Sequence, residues 1–308
     1  MSKTKPITIL GIFVADTSYR ADRPPRMGET ILGNSFALGP GGKGSNQAVA
    51  VARLEAPVHL ITRLGDDAFA ELAIETWQKA GVTPEVIRDP ESYTGAAYIF
   101  IEEASGDNAI IVCPGAASVI SHEDVEANAD LIASSSIFMT QLEQPIVAAR
   151  KALEIAHGSR VKTILNPAPA APLDDEILSL CDYVTPNETE AAELTGLPVG
   201  NLEEAKLAAA ALVERGAGAA VITLGENGAL FHDGKVFETV PVVSAGPVVE
   251  TTGAGDAFNA GFATALSRGA KPVEALRFGC AVAGISVTRA GTASSMPSLS
   301  EVEALLDS

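Results

Sequence analysis

The chain has 308 residues, 47% of them hydrophobic, and a formal net charge of −18 at pH 7. That length supports one large core or two smaller ones, and the acidity argues against nucleic acid or an anionic membrane as a main partner. The three cysteines (Cys113, Cys181, Cys280) and four histidines (His59, His122, His157, His232) are scattered, which argues against a structural zinc site and for buried thiols in a reduced cytosol.

Lys3 and Lys5 precede the apolar run "ITILGIFVA", which Gly11 breaks and Asp16 stops with no small-residue cleavage site. It reads as a buried first strand, not a signal peptide. No stretch is long and apolar enough to span a bilayer, so the expectation is a soluble protein. After Pro24 and Pro25, "ETILGNSFAL" partly alternates and predicts one or two strands exposed on one face. A helix is expected over "SNQAVAVARLE" with Ser45 as N-cap, then a strand at "VHLITRLG" and a helix over "DAFAELAIETWQKAG" closed by Gly81. "TGAAYIFIE" and "NAIIVCPG" form a predicted hairpin through "ASGD". Strands ("SIFMTQ", "VKTILNPAP", "AAVITLG") then alternate with helices ("QPIVAARKALEIAHG", "AKLAAAALVERG", and one from Asp256 to about Arg268). This rhythm implies a largely parallel sheet covered on both faces. The patches at 15–42 and 95–114 break the rhythm and could pair into a separate lid sheet, whose apolar face would need cover from substrate or a partner subunit.

Four motifs carry chemistry. In "GPGGKGSN" (39–46), Gly39, Gly41 and Gly44 match a dinucleotide-binding spacing, with Asp66 as the distant acid. Pro40 interrupts that turn and the preceding segment is too polar for a central strand. A Walker A loop fails as well, because position 37 is Ala and Gly44 follows Lys43. What remains is a surface turn, or a loop whose exposed amides, with Lys43 and Asn46, grip a small polar ligand. In "TTGAGDAFNAG" (251–261), small residues open a helix and leave an anion-binding N-terminus. Asp256 there is either a first-turn stabilising acid or a general base beside an anion hole; the glycines favour the base. "TPNETE" (185–190) places Asn187, Glu188 and Glu190 after a strand, as hard ligands for Mg²⁺ near phosphates or as a helix cap. "TLGENG" (223–228) is another glycine turn at a strand end.

Together, "GGKGSNQA", "NPAPA", "PNETE", "TLGENG" and "GAGDAFNAG" resemble the ribokinase family of carbohydrate kinases over about residues 7–300. The resemblance implies an α/β fold with a Rossmann-like three-layer core (1–14, 43–94 and 115–308). It also implies a β-sheet lid (15–42 and 95–114) that often serves as a dimer interface. The implied reaction is ATP-dependent phosphorylation of a primary sugar hydroxyl. By position, Asp256 resembles the catalytic base, and Gly253, Ala254 and Gly255 the anion hole. Asp16, Gly42, Lys43, Asn46 and Glu143 would contact the sugar. Asn187, Thr223, Gly225, Gly228 and Gly255 would face ATP, with Glu190 organising Mg²⁺ through waters. An activating monovalent cation, K⁺ above all, would lie at Glu250, Thr252, Ser286, Arg289, Gly291 and Ser295, several acting through carbonyls. Two positions depart from the family: Glu250 stands where Asp is usual, and Val14 where Asn is usual, two residues before Asp16. Ribose is the expected pentose, with 2-deoxyribose close behind because Val14 leaves a hydroxyl unpaired. Fructose or nucleoside kinases, a non-catalytic sensor and a dinucleotide oxidoreductase are the alternatives. The expected partners are ATP, a pentose and a second copy of the chain, in the cytoplasm.

Overall fold

The computed structural model describes residues 5–307; Lys3 lies outside them. In chain order the elements are β1 (Ile7–Leu10), β2 (Val14–Ala21), β3 (Ser35–Gly41), α1 (Lys43–Arg53), β4 (Val58–Leu64), α2 (Ala68–Ala80), β5 (Thr83–Arg88), β6 (Thr94–Glu102) and β7 (Asn108–Gly115). Next come α3 (His122–Glu126), α4 (Ala129–Ser134), β8 (Ile137–Thr140), α5 (Ile146–Gly158), β9 (Lys162–Leu165), α6 (Asp175–Ser179), β10 (Tyr183–Val184), α7 (Glu188–Thr195) and α8 (Leu202–Glu214). The chain ends with β11 (Ala220–Thr223), β12 (Ala229–His232), β13 (Phe237–Val240), α9 (Ala254–Ser267), α10 (Pro272–Ser286) and α11 (Leu299–Leu306).

The large sheet runs β13-β12-β11-β10-β9-β8-β1-β4-β5. Its strands from β5 to β11 are parallel, and β12 and β13 close one edge antiparallel. Both faces are buried, which explains the near-continuous apolar strands. Ile7 and Ile9 of β1, Leu60 of β4 and Val221 of β11 face the core under α1, α2, α9 and α10. Leu10, Ile61 and Ile222, in the alternate positions, face the core under α5 and α8. The predicted α/β architecture with a mainly parallel sheet is what the structure contains.

A second sheet has the order β3-β2-β6-β7. Its middle pair, β2 and β6, is parallel and joins segments 81 residues apart, with Thr17 opposite Tyr98; β3 and β7 flank them antiparallel.

Several local expectations are corrected. Only Ser35–Gly41 of the segment after Pro25 is strand, so "ETIL" is irregular. The glycine stretch is not a free loop: Gly39 and Gly41 end β3, and α1 begins at Lys43 after Gly42, whose φ is 88°. Ser45 is therefore inside the helix and not its N-cap; its hydroxyl accepts the Trp77 indole N–H at 2.9 Å instead. Because β3 belongs to the small sheet and pairs antiparallel with β2, no strand–turn–helix unit of the dinucleotide type exists at Gly39–Gly44. Helix α9 starts at Ala254, two residues before Asp256. Cys113 is exposed, since β7 is an edge strand, whereas Cys181 and Cys280 are buried. Among the described residues no helix is long and apolar enough to cross a membrane.

Candidate active site

The carboxyl ends of the central strands and the starts of two helices converge, as expected of ligand sites in open α/β sheets. Strand β8 runs into Gln141 and Glu143, β9 into Asn166, β10 into Thr185 and Asn187, and β11 ends at Thr223. A parallel bridge between Asn187 and Thr223 holds the last two ends in register. Helix α1 packs on α9, bringing Lys43 and Asn46 to Asp256. Gly253 caps α9 with φ 82°, a left-handed conformation that costs a side-chain-bearing residue about 1 kcal/mol or more. That sharp entry turns the helix start toward the cavity, where a Cβ added at Gly255 would meet nothing within 4 Å.

Asp256 is the hub. Its Oδ2 accepts from Asn46 Nδ2 at 3.0 Å, and its Oδ1 from Gln47 Nε2 at 3.0 Å. Glu143 Oε2 accepts the Lys43 backbone N–H at 2.8 Å. Asp16 lies over Gly41, where a Cβ would overlap its carboxylate. Burial raises the pKa of Asp256, opposed by Lys43 and by the Asn46 and Gln47 amides. Burial, reinforced by Asp256, pushes Asp16 up to about 6. Glu143 reaches about 7, chiefly through burial, with Lys43 working against the shift. Glu190 is raised by burial. Burial alone would lower the Lys43 pKa, but Asp256, Glu143 and Glu190 outweigh it and raise it. One cation thus stands among four carboxyl groups, each of which burial biases toward the neutral form.

A cavity of about 150 Å³ is lined by Lys43, Asn187, Glu190, Thr223, Gly253, Gly255 and Asp256, and also by Asn166, Thr185 and Asn259. Seven predicted residues thus share one wall. Asn46 and Glu143 reach it through their bonds to Asp256 and Lys43. Gly225 sits in the short turn after β11, while Gly228 packs against Val240 away from this cavity. Larger in volume, about 580 Å³, is a cavity between Glu188, Asn201, Leu224 and Thr239; of the motif residues it holds Glu188 and Asn227, and none of those assigned to sugar or ATP. The sequence reading missed Gln47, Gln141, Asn166 and Asn259. Their signal was present, since "SNQA", "NPAPA" and "GDAFNAG" carry three of them.

Asn187 and Glu190 form a reciprocal capping box at α7: Asn187 Oδ1 accepts from Glu190 N at 2.8 Å, and Glu190 Oε2 accepts from Asn187 N at 2.9 Å. The cap and the cavity wall are the same residues. The oxygens of Glu190, Asn166 and Asn187 are hard donors, and among the described residues no three His, Cys, Asp or Glu side chains gather into a metal cage. Such a donor set fits a water-rich Mg²⁺ shared with nucleotide phosphates.

The residues assigned to a monovalent cation fall in two segments that the fold draws together. Glu250 Oε2 accepts the Gly291 N–H at 2.9 Å, and Val287 O accepts from the Val249 and Glu250 amides. Ser286 and Ser295 are buried, Thr252 is exposed, and the Arg289 guanidinium pairs with Glu301. Thr292 Oγ1 donates to Pro40 O at 2.9 Å, tying this segment to β3.

Comparison with known proteins shows the family. The model of the pfkB family of carbohydrate kinases matches residues 5–299. The chain is 38% identical to the ribokinase of Haemophilus influenzae, covering 98% of this chain and 99% of the relative. It is 35% identical to the deoxyribokinase of Salmonella typhi, covering 96% of each. The structure of Arabidopsis thaliana ribokinase complexed with ribose and ATP superposes with a TM-score of 0.93 at 31% identity, covering 99% of both chains.

Proposed function

The chain belongs to the pfkB family of carbohydrate kinases, and we propose that it transfers the γ-phosphoryl group of ATP to the 5-hydroxyl of D-ribose. The observation that carries this reading is the 3.0 Å hydrogen bond between Asn46 and Asp256, which brings the start of α1 to the start of α9 across 210 residues. Full-length relatives named ribokinase supply the substrate class.

In this reading the sugar lies against Asp16, Gly42, Lys43, Asn46 and Glu143. The Asp256 carboxylate takes the proton of the attacking hydroxyl. Backbone N–H groups of Gly253, Ala254 and Gly255, at the positive end of α9, face the charge developing on the transferred phosphoryl group. ATP extends along Asn187, Thr223, Gly225 and Gly228. Glu190, with Asn166 and Asn187, would hold Mg²⁺ through waters, and the ion would supply charge neutralisation for the nucleotide phosphates. Lys43, half-buried and held cationic by its carboxylate neighbours, supplies positive charge at the site.

K⁺ activation is assigned to Glu250, Thr252, Ser286, Arg289, Gly291 and Ser295. Its support is the convergence of the two segments at the end of the anion hole, where a Cβ at Gly253 would lie 3.4 Å from Thr292. A dimer through the small sheet is supported by its exposed rings. Tyr19, Phe36 and Tyr98 are 41%, 58% and 37% exposed, yet Tyr19 packs in tilted pairs with Phe36 and Tyr98 at 5.1 and 5.4 Å between ring centres, leaving an apolar face for a second copy. The absence of a disulfide partner for any cysteine is consistent with a cytoplasmic enzyme.

A second reading has one observation in its favour. Val14 is 5% exposed and lies on the same side of β2 as Asp16, where an apolar side chain suits a sugar with one hydroxyl fewer. The test is a coupled kinase assay across ribose, 2-deoxyribose, fructose and nucleosides, with and without K⁺. Ribose is expected to give the highest kcat/KM, with 2-deoxyribose next; turnover of neither pentose would overturn the proposal.

A further inference from the structure

We infer that the side-chain amides of Asn166, Gln47 and Gln141 form a directional relay that positions the Asp256 carboxylate for proton abstraction. The inference rests on the reading of Asp256 as the base. Gln47 and Gln141 are fully buried and are assigned to neither sugar, ATP nor Mg²⁺ above, whereas Asn166 also belongs to the Mg²⁺ donor set.

The direction of the relay is set by a backbone carbonyl, which can only accept. Asn166 Nδ2 donates to Thr185 O at 3.1 Å, so Asn166 must turn Oδ1 toward Gln47. Gln47 Nε2 therefore donates to Asn166 Oδ1 at 3.2 Å, and with its other N–H to Asp256 Oδ1 at 3.0 Å. From the opposite side, Gln141 Nε2 donates to Gln47 Oε1 at 2.6 Å. Both N–H groups and the oxygen of the Gln47 amide are thereby used, and rotating the amide by half a turn would set its oxygen against two acceptors and its nitrogen against a donor. The outer end is confined as well: a Cβ added at Gly11 would lie 2.6 Å from Gln141 Oε1. Asn46, the next residue of α1, supplies the donor to Asp256 Oδ2. Two consecutive residues of one helix thus pin both carboxylate oxygens and leave their remaining lone pairs for the sugar hydroxyl.

The charged groups around Asp256 are Lys43 on α1, Asp16 on β2, Glu143 after β8 and Glu190 on α7. Three are carboxyls that oppose ionisation of Asp256. Lys43 and the two amides favour it. Removing the Gln47 donor therefore moves the protonation of the base toward higher pH as well as loosening its aim.

The test is the pH dependence of kcat between pH 5 and 9, measured on the full-length enzyme with saturating ribose and Mg–ATP. For Gln47→Met, which keeps the volume and removes the donors, kcat at pH 7 should fall about 10-fold or more, and its acid limb should move up by about one pH unit. The Kd for ribose should stay within about threefold. Gln141→Met, which removes one of the three contacts that hold the Gln47 amide, should move the limb in the same direction by less; it also serves as the readout should Gln47→Met fail to fold. A Gln47→Met enzyme with the wild-type acid limb, or a Gln141→Met enzyme with that limb where the first variant is unfolded, overturns the relay. Asp256→Asn separates the two layers. Substantial turnover in that variant removes the base itself, whereas an inactive Asp256→Asn alongside an unmoved limb in Gln47→Met removes only the relay.

Discussion

Replacing Glu143 by glutamine should stabilise the protein at alkaline pH while weakening sugar binding. Glu143 is half-buried beside Lys43, and desolvation pushes its carboxyl from an ordinary 4.5 up to about 7. The folded chain therefore holds this proton more tightly than the unfolded chain does. Stability that is present below pH 4.5 is lost as the pH rises through 7, and the whole cost stands above it. The gap between 4.5 and about 7 corresponds to about 3 kcal/mol at pH 8. Glutamine keeps a carbonyl oxygen to accept the Lys43 N–H and carries no charge to desolvate. At about 2 °C per kcal/mol for a chain of this size, Tm should rise by about 6 °C at pH 8 and by much less at pH 5. Differential scanning calorimetry of both proteins without ligand, at the two pH values, measures this directly. A Tm difference independent of pH, or a glutamine variant less stable at pH 8, would refute the argument.

Other substitutions probe the neighbouring claims. Val14→Asn should raise kcat/KM for ribose relative to 2-deoxyribose, because it places a hydrogen-bonding group beside Asp16; an unchanged ratio in the coupled assay would show that Val14 does not discriminate. Gly253→Ala forces a side chain into a left-handed backbone at the start of α9. It should lower stability by about 1 kcal/mol and kcat by far more than it raises the sugar KM, read by thermal melts and steady-state kinetics. Phe36→Glu, in the exposed ring cluster of the small sheet, should convert a dimer to a monomer in sedimentation, since a charge would be buried in an apolar contact.

The parallel core was legible because its strands are apolar on both faces and its helices carry end signals, as in the left-handed Gly81 that closes α2. Where reading failed, tertiary context outweighed local chemistry. Ser45 looks like an N-cap, yet the chain enters α1 two residues earlier from a strand, and the hydroxyl is used by Trp77. Helix α10 was not anticipated. Its buried face continues nearly around the helix, so no amphipathic stripe marks it, although Pro272 at its first turn with Glu274 is a start signal. At the site, motif residues with charge or glycine character stood out, whereas Gln47, Gln141 and Asn166 did not. Asn46 and Asn187 stood out by their motifs, but Gln47 shows its role only through the partners that folding gives it, a strand end 119 residues away and a helix start 209 residues away.

The most direct measurement is a comparison of Asp256→Asn with the parent protein, reading kcat in the coupled assay and ribose affinity by calorimetry. Asparagine matches aspartate in size but cannot take a proton. Turnover is expected to drop by about 10²- to 10⁴-fold while the Kd for ribose changes little. A variant that still phosphorylates ribose within a few-fold of the parent rate would contradict the account.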